Sequence, residues 1–383
     1  MCRQSATVCL VKPPVRQHAT AIGLAERLRS LADPRRRRGR RHPFVSVVLT
    51  AASAVLAGAR SYTAIGQWAA SAPQHTLARL GARAIGALGV RVAPSKATIR
   101  RVLTLACPAG LAELTGADPA GRDTVAVDGK SARGSRTGDM PAAHLLAAMT
   151  GDGQTVTQLR VPDKTNEITC FAALLEPYDL TGITVTADAL HTQRDHARFL
   201  VEEKKAHYLL VVKANQPELL RQLRSLPWKD VTARRYDREI SHGRRETRAT
   251  RALTVTDLAP DFPHAAQAVR ILRHRTDLKS GRCTRQTVYA ITDLTSHQAS
   301  SQRLGELARS QWITENRLHL VRDTTFGEDT SKIRTGHGPE NMATLRNLAI
   351  NTLRKHGHRN IAAGLRRVSY DPFNRPLDLL NIP

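Results

Sequence analysis

Thr124-Val125-Ala126-Val127-Asp128-Gly129-Lys130 is a run of β-branched and small apolar residues that stops at an acid. Such side chains fit a pleated, half-buried surface, so the run reads as a strand with Asp128 at its end. Gly182-Ile183-Thr184-Val185-Thr186-Ala187-Asp188 repeats the pattern. Between the two, Ala143–Met149 and Thr155–Val161 flank Gly151-Asp152-Gly153, which is a hairpin signal. A helix fits Glu167–Glu176. After Asp188, helix Gln193–Lys204, strand Tyr208–Lys213 and helix Gln216–Leu226 continue the alternation. A hairpin sheet followed by βαβα predicts an α/β fold.

A third acid comes from Trp312-Ile313-Thr314-Glu315-Asn316-Arg317-Leu318-His319-Leu320-Val321-Arg322-Asp323, which holds no Gly or Pro and reads as a helix. Glu315, Leu318, His319 and Arg322 fall at i, i+3, i+4 and i+7 and are expected on one face. A carboxylate, an imidazole and a guanidinium on one stripe suit a metal ion and a phosphate better than a core. Hard cations take oxygen ligands, and two-metal phosphoryl transfer draws carboxylates from separate elements. Two strand-end Asp residues and a helical Glu meet that need. Asp323, Glu328 and Asp329 are rival carboxylates. Asp323 is rotated roughly 80° from Glu315 at ~100° per residue, and the other two follow Gly327 in an expected loop.

Residues 228–296 interrupt the α/β pattern. Arg248–Asp257, Ala268–Arg275 and Thr287–Asp293 read as strands of a β-rich insertion. Helices Gln298–Arg309 and Asn341–Lys355 follow, the latter with Leu345, Leu348 and Leu353. Ahead of Asp128, residues 1–20 lack periodicity and read as loose. Ala21–Leu31, Phe44–Ala59, Ser61–Ser71 and Ser95–Cys107 read as helices, with Ser95 as an N-cap. They read equally as a helix-turn-helix reader or a plain bundle. Arg35-Arg36-Arg37-Arg38-Gly39-Arg40-Arg41 reads equally as a phosphate contact or a solvated loop.

The chain has 383 residues, room for two or three domains, and 58 Lys+Arg against 33 Asp+Glu, a formal net charge of +25. That excess suits a polyanion, because each neutralised phosphate releases counterions. Five Cys occur, at 2, 9, 107, 170 and 283, with no CxxC pair. This argues against a zinc site or a disulfide framework and for a reducing cytosol. No apolar run is long enough for a membrane span, and no continuous apolar stretch near the first residues marks a signal peptide.

The segments VDGKSARGS (127–135), KTNEI (164–168), TADALHTQRDHA (186–197), YLLVVKANQP (208–217), HGRRETR (242–248), QWITENRLHLVRDTTFGED (311–329) and GPENMATLRNLAI (338–350) together resemble the ISAs1-type insertion-sequence transposases. The resemblance runs in order from about residue 25 to the C-terminus. It implies an RNase H-like catalytic domain at 122–227, completed by 297–383 around the β-rich insertion, behind a DNA-binding helical region at 21–115. It implies that Asp128, Asp188 and Glu315 are catalytic and hold two Mg²⁺ or Mn²⁺ ions. Lys130 and Arg133, in a Gly/Ser-containing loop, suit a phosphate clamp, and Lys213, Arg322 and Arg35, Arg36, Arg37 and Arg38 are further expected DNA contacts. Ala308 and Gln311 stand where related transposases outside the family carry Tyr and Arg, with Arg309 as a possible substitute. His191 and His319 flank the acids and read as metal or phosphate contacts or as structural histidines. The implied partners are double-stranded DNA, as inverted-repeat element ends and target, and a second copy of the chain. The implied location is the bacterial cytoplasm, at the nucleoid when DNA is bound. Two rival readings are a catalytically inactive DNA-binding relic and a metal-dependent nuclease that does not join.

Overall fold

The computed structural model describes residues 23–138, 140–163, 165–232, 234–241, 243–255 and 260–383. The expectation of a loose segment at 1–20 falls outside them. The first described part is helical: α1 (Leu24–Arg29), α2 (Phe44–Leu56), α3 (Tyr62–Ser71), α4 (Gln74–Arg79), the short hairpin β1 (Arg83–Ile85) and β2 (Val90–Val92), α5 (Lys96–Leu105) and α6 (Pro108–Thr115). Ser95 caps α5 as expected, its hydroxyl accepting from the Thr98 amide at 3.2 Å. Twelve of the thirteen residues of α2 are buried, which its nearly uninterrupted apolar sequence demands.

A nine-stranded sheet follows. Its strands are β3 (Thr124–Ala132), β4 (Ala143–Thr150), β5 (Thr155–Val161), β6 (Thr184–Ala187), β7 (His207–Val212), β8 (Arg234–Ser241), β9 (Arg244–Thr254), β10 (Gln267–Asp277) and β11 (Cys283–Thr292). Their order is β5-β4-β3-β6-β7-β11-β10-β9-β8. β3, β6 and β7 run parallel at the centre, and β4 and β5 return antiparallel on one side. The region read as an insertion has four strands rather than three, and it extends the same sheet through β11 against β7. β8 escaped the sequence reading because Arg234–Ser241 alternates charged residues with Tyr236 and Ile240 and has no apolar face.

Helices cover both faces. α7 (Glu167–Leu175), α8 (Arg194–Arg198) and α9 (Pro217–Ser225) lie between the strands in sequence, and Phe171, Leu174 and Leu223 join Val127, Val185 and Leu210 in one core. On the other face α10 (Ser301–Thr314) buries Leu304 and Leu307 against Leu209, Val269 and Ile271. A π-turn over Glu315–His319 joins α10 to α11 (Leu320–Thr324), and α12 (Gly338–Lys355), α13 (Ile361–Ser369) and α14 (Arg375–Leu379) complete the chain. The N-terminal helices share their core with these last ones: Leu28, Val55 and Leu103 belong to one cluster with Met342, Leu345, Ile350 and Leu377. Among the described residues, no helix is long and apolar enough to cross a membrane.

Candidate functional site

Asp128 lies in β3, level with Ala147 of β4 and one residue past the Val127–Ala187 pairing with β6. Asp188 follows β6 directly, so the parallel register brings both acids to one end of the central strands. Strand alternation turns Val125 and Val127 toward the α7 core and Asp128 toward the opposite face, where α10 and the π-turn run. Gln311 ties that helix to both acid-bearing strands. Its side-chain amide donates to the Val127 carbonyl at 2.9 Å, and its carbonyl oxygen accepts from the Thr186 hydroxyl at 2.9 Å. Glu315 leaves the helix one turn later, exposed.

The charges meet around Asp128. Burial, together with Glu167, Asp188 and Glu315 nearby, pushes its carboxyl up to about 7. Its Oδ1 accepts from the Gly129 amide at 3.0 Å, and its Oδ2 stands 3.6 Å from His319 Nδ1. Asp188 is half exposed and receives Lys213 Nζ at 2.9 Å. The donor set is oxygen-rich and over-supplied with negative charge, which fits a hard divalent cation. The three acids are not drawn in to ligand distance, since among the described residues no three His, Cys, Asp or Glu side chains form a group that could hold a metal ion.

Glu167 was given no role from sequence, although it stands in the KTNEI segment. It opens α7 just after Asn166, whose side chain accepts from the Ile168 amide. His144 Nε2 donates to its Oε1 at 2.6 Å and His191 Nε2 to its Oε2 at 3.1 Å, while the Ser131 hydroxyl bonds His144 Nδ1 at 2.8 Å. Burial works against its charge, but the two imidazoles outweigh it and hold the carboxyl down at about 2. Gly129 makes room for it: a β-carbon at 129 would lie 2.2 Å from Glu167 Oε1. His191 is thus tied to a carboxylate. His319 is buried beside Arg322 and Lys130, and burial and these cations hold it neutral, at about 3.

Two expected DNA contacts are corrected. Arg322 is fully buried, and Glu328 takes its Nε at 2.8 Å and its Nη2 at 2.7 Å. Glu328 also takes Arg346 Nη1 at 2.8 Å, so the group is a buried ion cluster tying α11 to α12 and no phosphate reaches it. Arg35 is buried against Asp33 and donates to the His42 carbonyl, whereas Arg36, Arg37 and Arg38 are exposed. The shared stripe is corrected as well. Leu318, His319 and Arg322 are buried while Glu315 is exposed at the start of a π-turn over Glu315–His319, which breaks the regular helical spacing.

Lys130 is nearly buried and bridges Asp323 at 2.7 Å and Asp329 at 3.6 Å. Arg133 is largely exposed, 3.8 Å from Asp329. The rival acids Asp323, Glu328 and Asp329 therefore all have cationic partners. Arg309 faces Asp237 at 3.7 Å.

Residues 119–352, more than half the chain, match the family model described as "Transposase DDE domain", and residues 25–117 match a model described as "DDE_Tnp_1-associated". The candidate transposase YncI of Escherichia coli O157:H7 is 31% identical over 64% of this chain and 65% of its own length. The H repeat-associated candidate transposase YhhI of Escherichia coli strain K12 is 29% identical over 64% of this chain and 67% of its own. The chain thus spans about two thirds of the length of these relatives. A piggyBac transposase synaptic complex with hairpin DNA aligns over 74% of this chain and 56% of that one, at 11% identity and a TM-score of 0.37.

Proposed function

The chain belongs to the Transposase DDE domain family, and from that membership we propose that it is an ISAs1-type insertion-sequence transposase that binds the inverted-repeat ends of its element, cuts them and joins them to target DNA. The observation that supports the reading is Asp128, in the strand parallel to the one that leads into Asp188, with its carboxyl pushed up to about 7 by burial and by the charges of Glu167, Asp188 and Glu315. The order β5-β4-β3-β6-β7, with parallel strands only in its second half, supports an RNase H-like reading of the catalytic part.

In this reading Asp128, Asp188 and Glu315 would hold two Mg²⁺ or Mn²⁺ ions, and the bound ions would supply activation of a water or 3′-hydroxyl and stabilisation of the leaving oxygen. The chain's own residues do the rest. Asp128 and Asp188 fix the site to the rigid sheet, and Gln311 sets the helix that presents Glu315. Lys213 beside Asp188 and the exposed Arg133 are the cations that would hold a phosphate backbone. Lys130 supports the site from within by pairing Asp323 and Asp329. No Ser or Tyr nucleophile is required for an in-line displacement. Action on two ends implies a dimer on DNA, working in the cytoplasm.

A plasmid carrying the element ends, incubated with the chain and Mg²⁺, should yield integrants, and EDTA should abolish them. Asp128→Asn, Asp188→Asn and Glu315→Gln should each abolish cleavage and joining, weaken Mn²⁺ binding in calorimetry, and leave the gel shift nearly intact. Nicking without integration would make the chain a nuclease. A gel shift without cleavage would make it a binding relic. Full activity in EDTA would overturn the metal mechanism.

A further inference from the structure

Asp128 accepts from the Gly129 amide, and Asp188 accepts from Lys213. Of the three acids, Glu315 alone makes no side-chain hydrogen bond or ion pair among the described residues. Its place is therefore set by the backbone that carries it. That backbone is the π-turn, closed by the Leu320 amide on the Glu315 carbonyl. Such i→i+5 turns are rare, so the contacts that hold this one decide where Glu315 stands.

Two kinds of contact do so. Leu318 is fully buried in a cluster with Ala147, Met149 and Leu353. Apolar burial has no direction, so it pins the turn to the sheet without fixing its shape. The directed contacts come from Arg354, in the last turn of α12. Its Nη2 donates to the Arg317 carbonyl inside the π-turn, and its Nη1 donates to the Gly153 carbonyl. One planar guanidinium thus joins two backbone carbonyls from separate parts of the chain, a rigid fork that a lysine does not reproduce. Arg317 Nη1 in turn reaches the Asp152 carbonyl at 3.4 Å.

Both supports of the fork are fixed. Gly153 has φ +95° and lies in the turn between β4 and β5. That turn is closed by the Gly153 amide on the Thr150 carbonyl at 2.8 Å and by the Thr150 amide on the Gln154 carbonyl at 2.9 Å. A β-carbon at 153 would lie 3.4 Å from both Arg317 Cδ and Arg354 Nη1, so the two arginines pack over this glycine. One turn before Arg354, α12 is tied to β5. Asn351 accepts from the Thr155 amide at 2.7 Å and donates to the Thr155 carbonyl at 2.8 Å.

On the reading of Glu315 as a catalytic acid, we infer that Arg354 is a positioning residue for it. Arg354 holds the π-turn to the β4–β5 turn and so sets where Glu315 stands with respect to Asp128. Gln311 fixes the helix ahead of Glu315, and Arg354 fixes the turn behind it. Both Nη groups of Arg354 are engaged by backbone carbonyls, so its part is to hold the protein's own chain.

The test compares Arg354→Gln and Arg354→Lys with Asn351→Ala, which loosens the same end of α12 from β5 without touching the π-turn. All are measured below every unfolding transition. Arg354→Gln should slow cleavage of a pre-bound element-end duplex and weaken Mn²⁺ binding in calorimetry, each by about 10–100-fold. Its duplex affinity should match the wild type. The amides of residues 315–320 should exchange hydrogen faster in Arg354→Gln and not in Asn351→Ala. Arg354→Lys keeps the charge, reaches one carbonyl at a time, and should fold and recover part of the rate. In a Glu315→Gln background, Arg354→Gln should weaken Mn²⁺ binding no further, because no third acid is left to misplace. Wild-type cleavage in Arg354→Gln, equal slowing by Asn351→Ala, or the same added loss of Mn²⁺ binding beside Glu315→Gln would overturn the assignment. So would a loss of duplex affinity that accounts for the whole loss of cleavage. If Glu315→Gln itself cuts and binds Mn²⁺ like the wild type, the catalytic reading of Glu315 falls instead.

Discussion

Asp128 shows how much one side chain's surroundings decide. It is a carboxylate in the middle of β3, and burial and three neighbouring acids push it up to about 7. Glu167, a few residues away in space, is held near 2 by two histidines. Gly129 separates them, and its missing β-carbon is where Glu167 rests. Gly129→Ala should therefore displace Glu167 and lower cleavage, and Glu167→Gln should lower it in the same way. It should also cost about 1–3 kcal/mol in urea unfolding, the usual cost of overpacking. A Gly129→Ala protein that cuts normally would show that Glu167 is only a structural acid. His319 adds a pH dependence. Its imidazole is held at about 3 when folded against about 6.5 when unfolded. Between these values the unfolded chain binds more protons, so this group's contribution is complete above 6.5 and is lost as pH falls toward 3. The loss approaches about 1.4 kcal/mol per pH unit within that window. The melting temperature should drop more between pH 7.5 and 5 in the wild type than in His319→Asn; equal drops would mean that His319 is not held neutral.

At the scale of elements, the π-turn and the buried ion cluster act together. The π-turn frees Glu315 from the buried stripe, and Arg322, Glu328 and Arg346 lock the following α11 to α12. Glu328 stays ionised near 2 although burial opposes it, because the two arginines flank it. Glu328→Gln leaves two buried guanidinium groups without a counter-charge and should destabilise the fold by about 3–5 kcal/mol, measured by denaturant titration. Loss of activity there would come from unfolding. Glu315→Gln, on an exposed side chain, should unfold at the wild-type midpoint yet not cleave. Asp323→Asn leaves Lys130 its second partner, Asp329, and should stay folded with measurable activity. An active Glu315→Gln beside a dead Asp323→Asn would assign the third carboxylate to Asp323.

Across the whole molecule, the charge of +25 is sorted by the fold. Arg35 is drawn into a buried pair with Asp33, while Arg36, Arg37 and Arg38 remain in water. Replacing the latter three by Ala should leave the melting temperature unchanged and flatten the salt dependence of DNA binding. Arg35→Ala should lower the melting temperature. A salt slope unaffected by the triple substitution would mean that the run is only a solvated loop. The helical N-terminal part shares one core with α12–α14.

The local pattern of the chain was enough for the strand that carries Asp128, the strand that leads into Asp188, the hairpin between them, the cap at Ser95 and the basic excess, because each depends on neighbours within a few residues; the expected strand end at Asp128 is corrected, since β3 runs on to Ala132 by pairing with β4. Periodicity also found the helix before Glu315. It could not find the π-turn, since one inserted residue leaves the apolar spacing almost unchanged while rotating every side chain before it. Nor could it tell Arg322 from Arg133, because a guanidinium is a surface group or a core group according to whether a distant carboxylate such as Glu328 meets it. Glu167, His144 and Gly129 lie far apart in sequence and meet only when α7 packs beside β3. The fourth insertion strand follows from strand register, which is set by pairing between chain segments and not by any one of them.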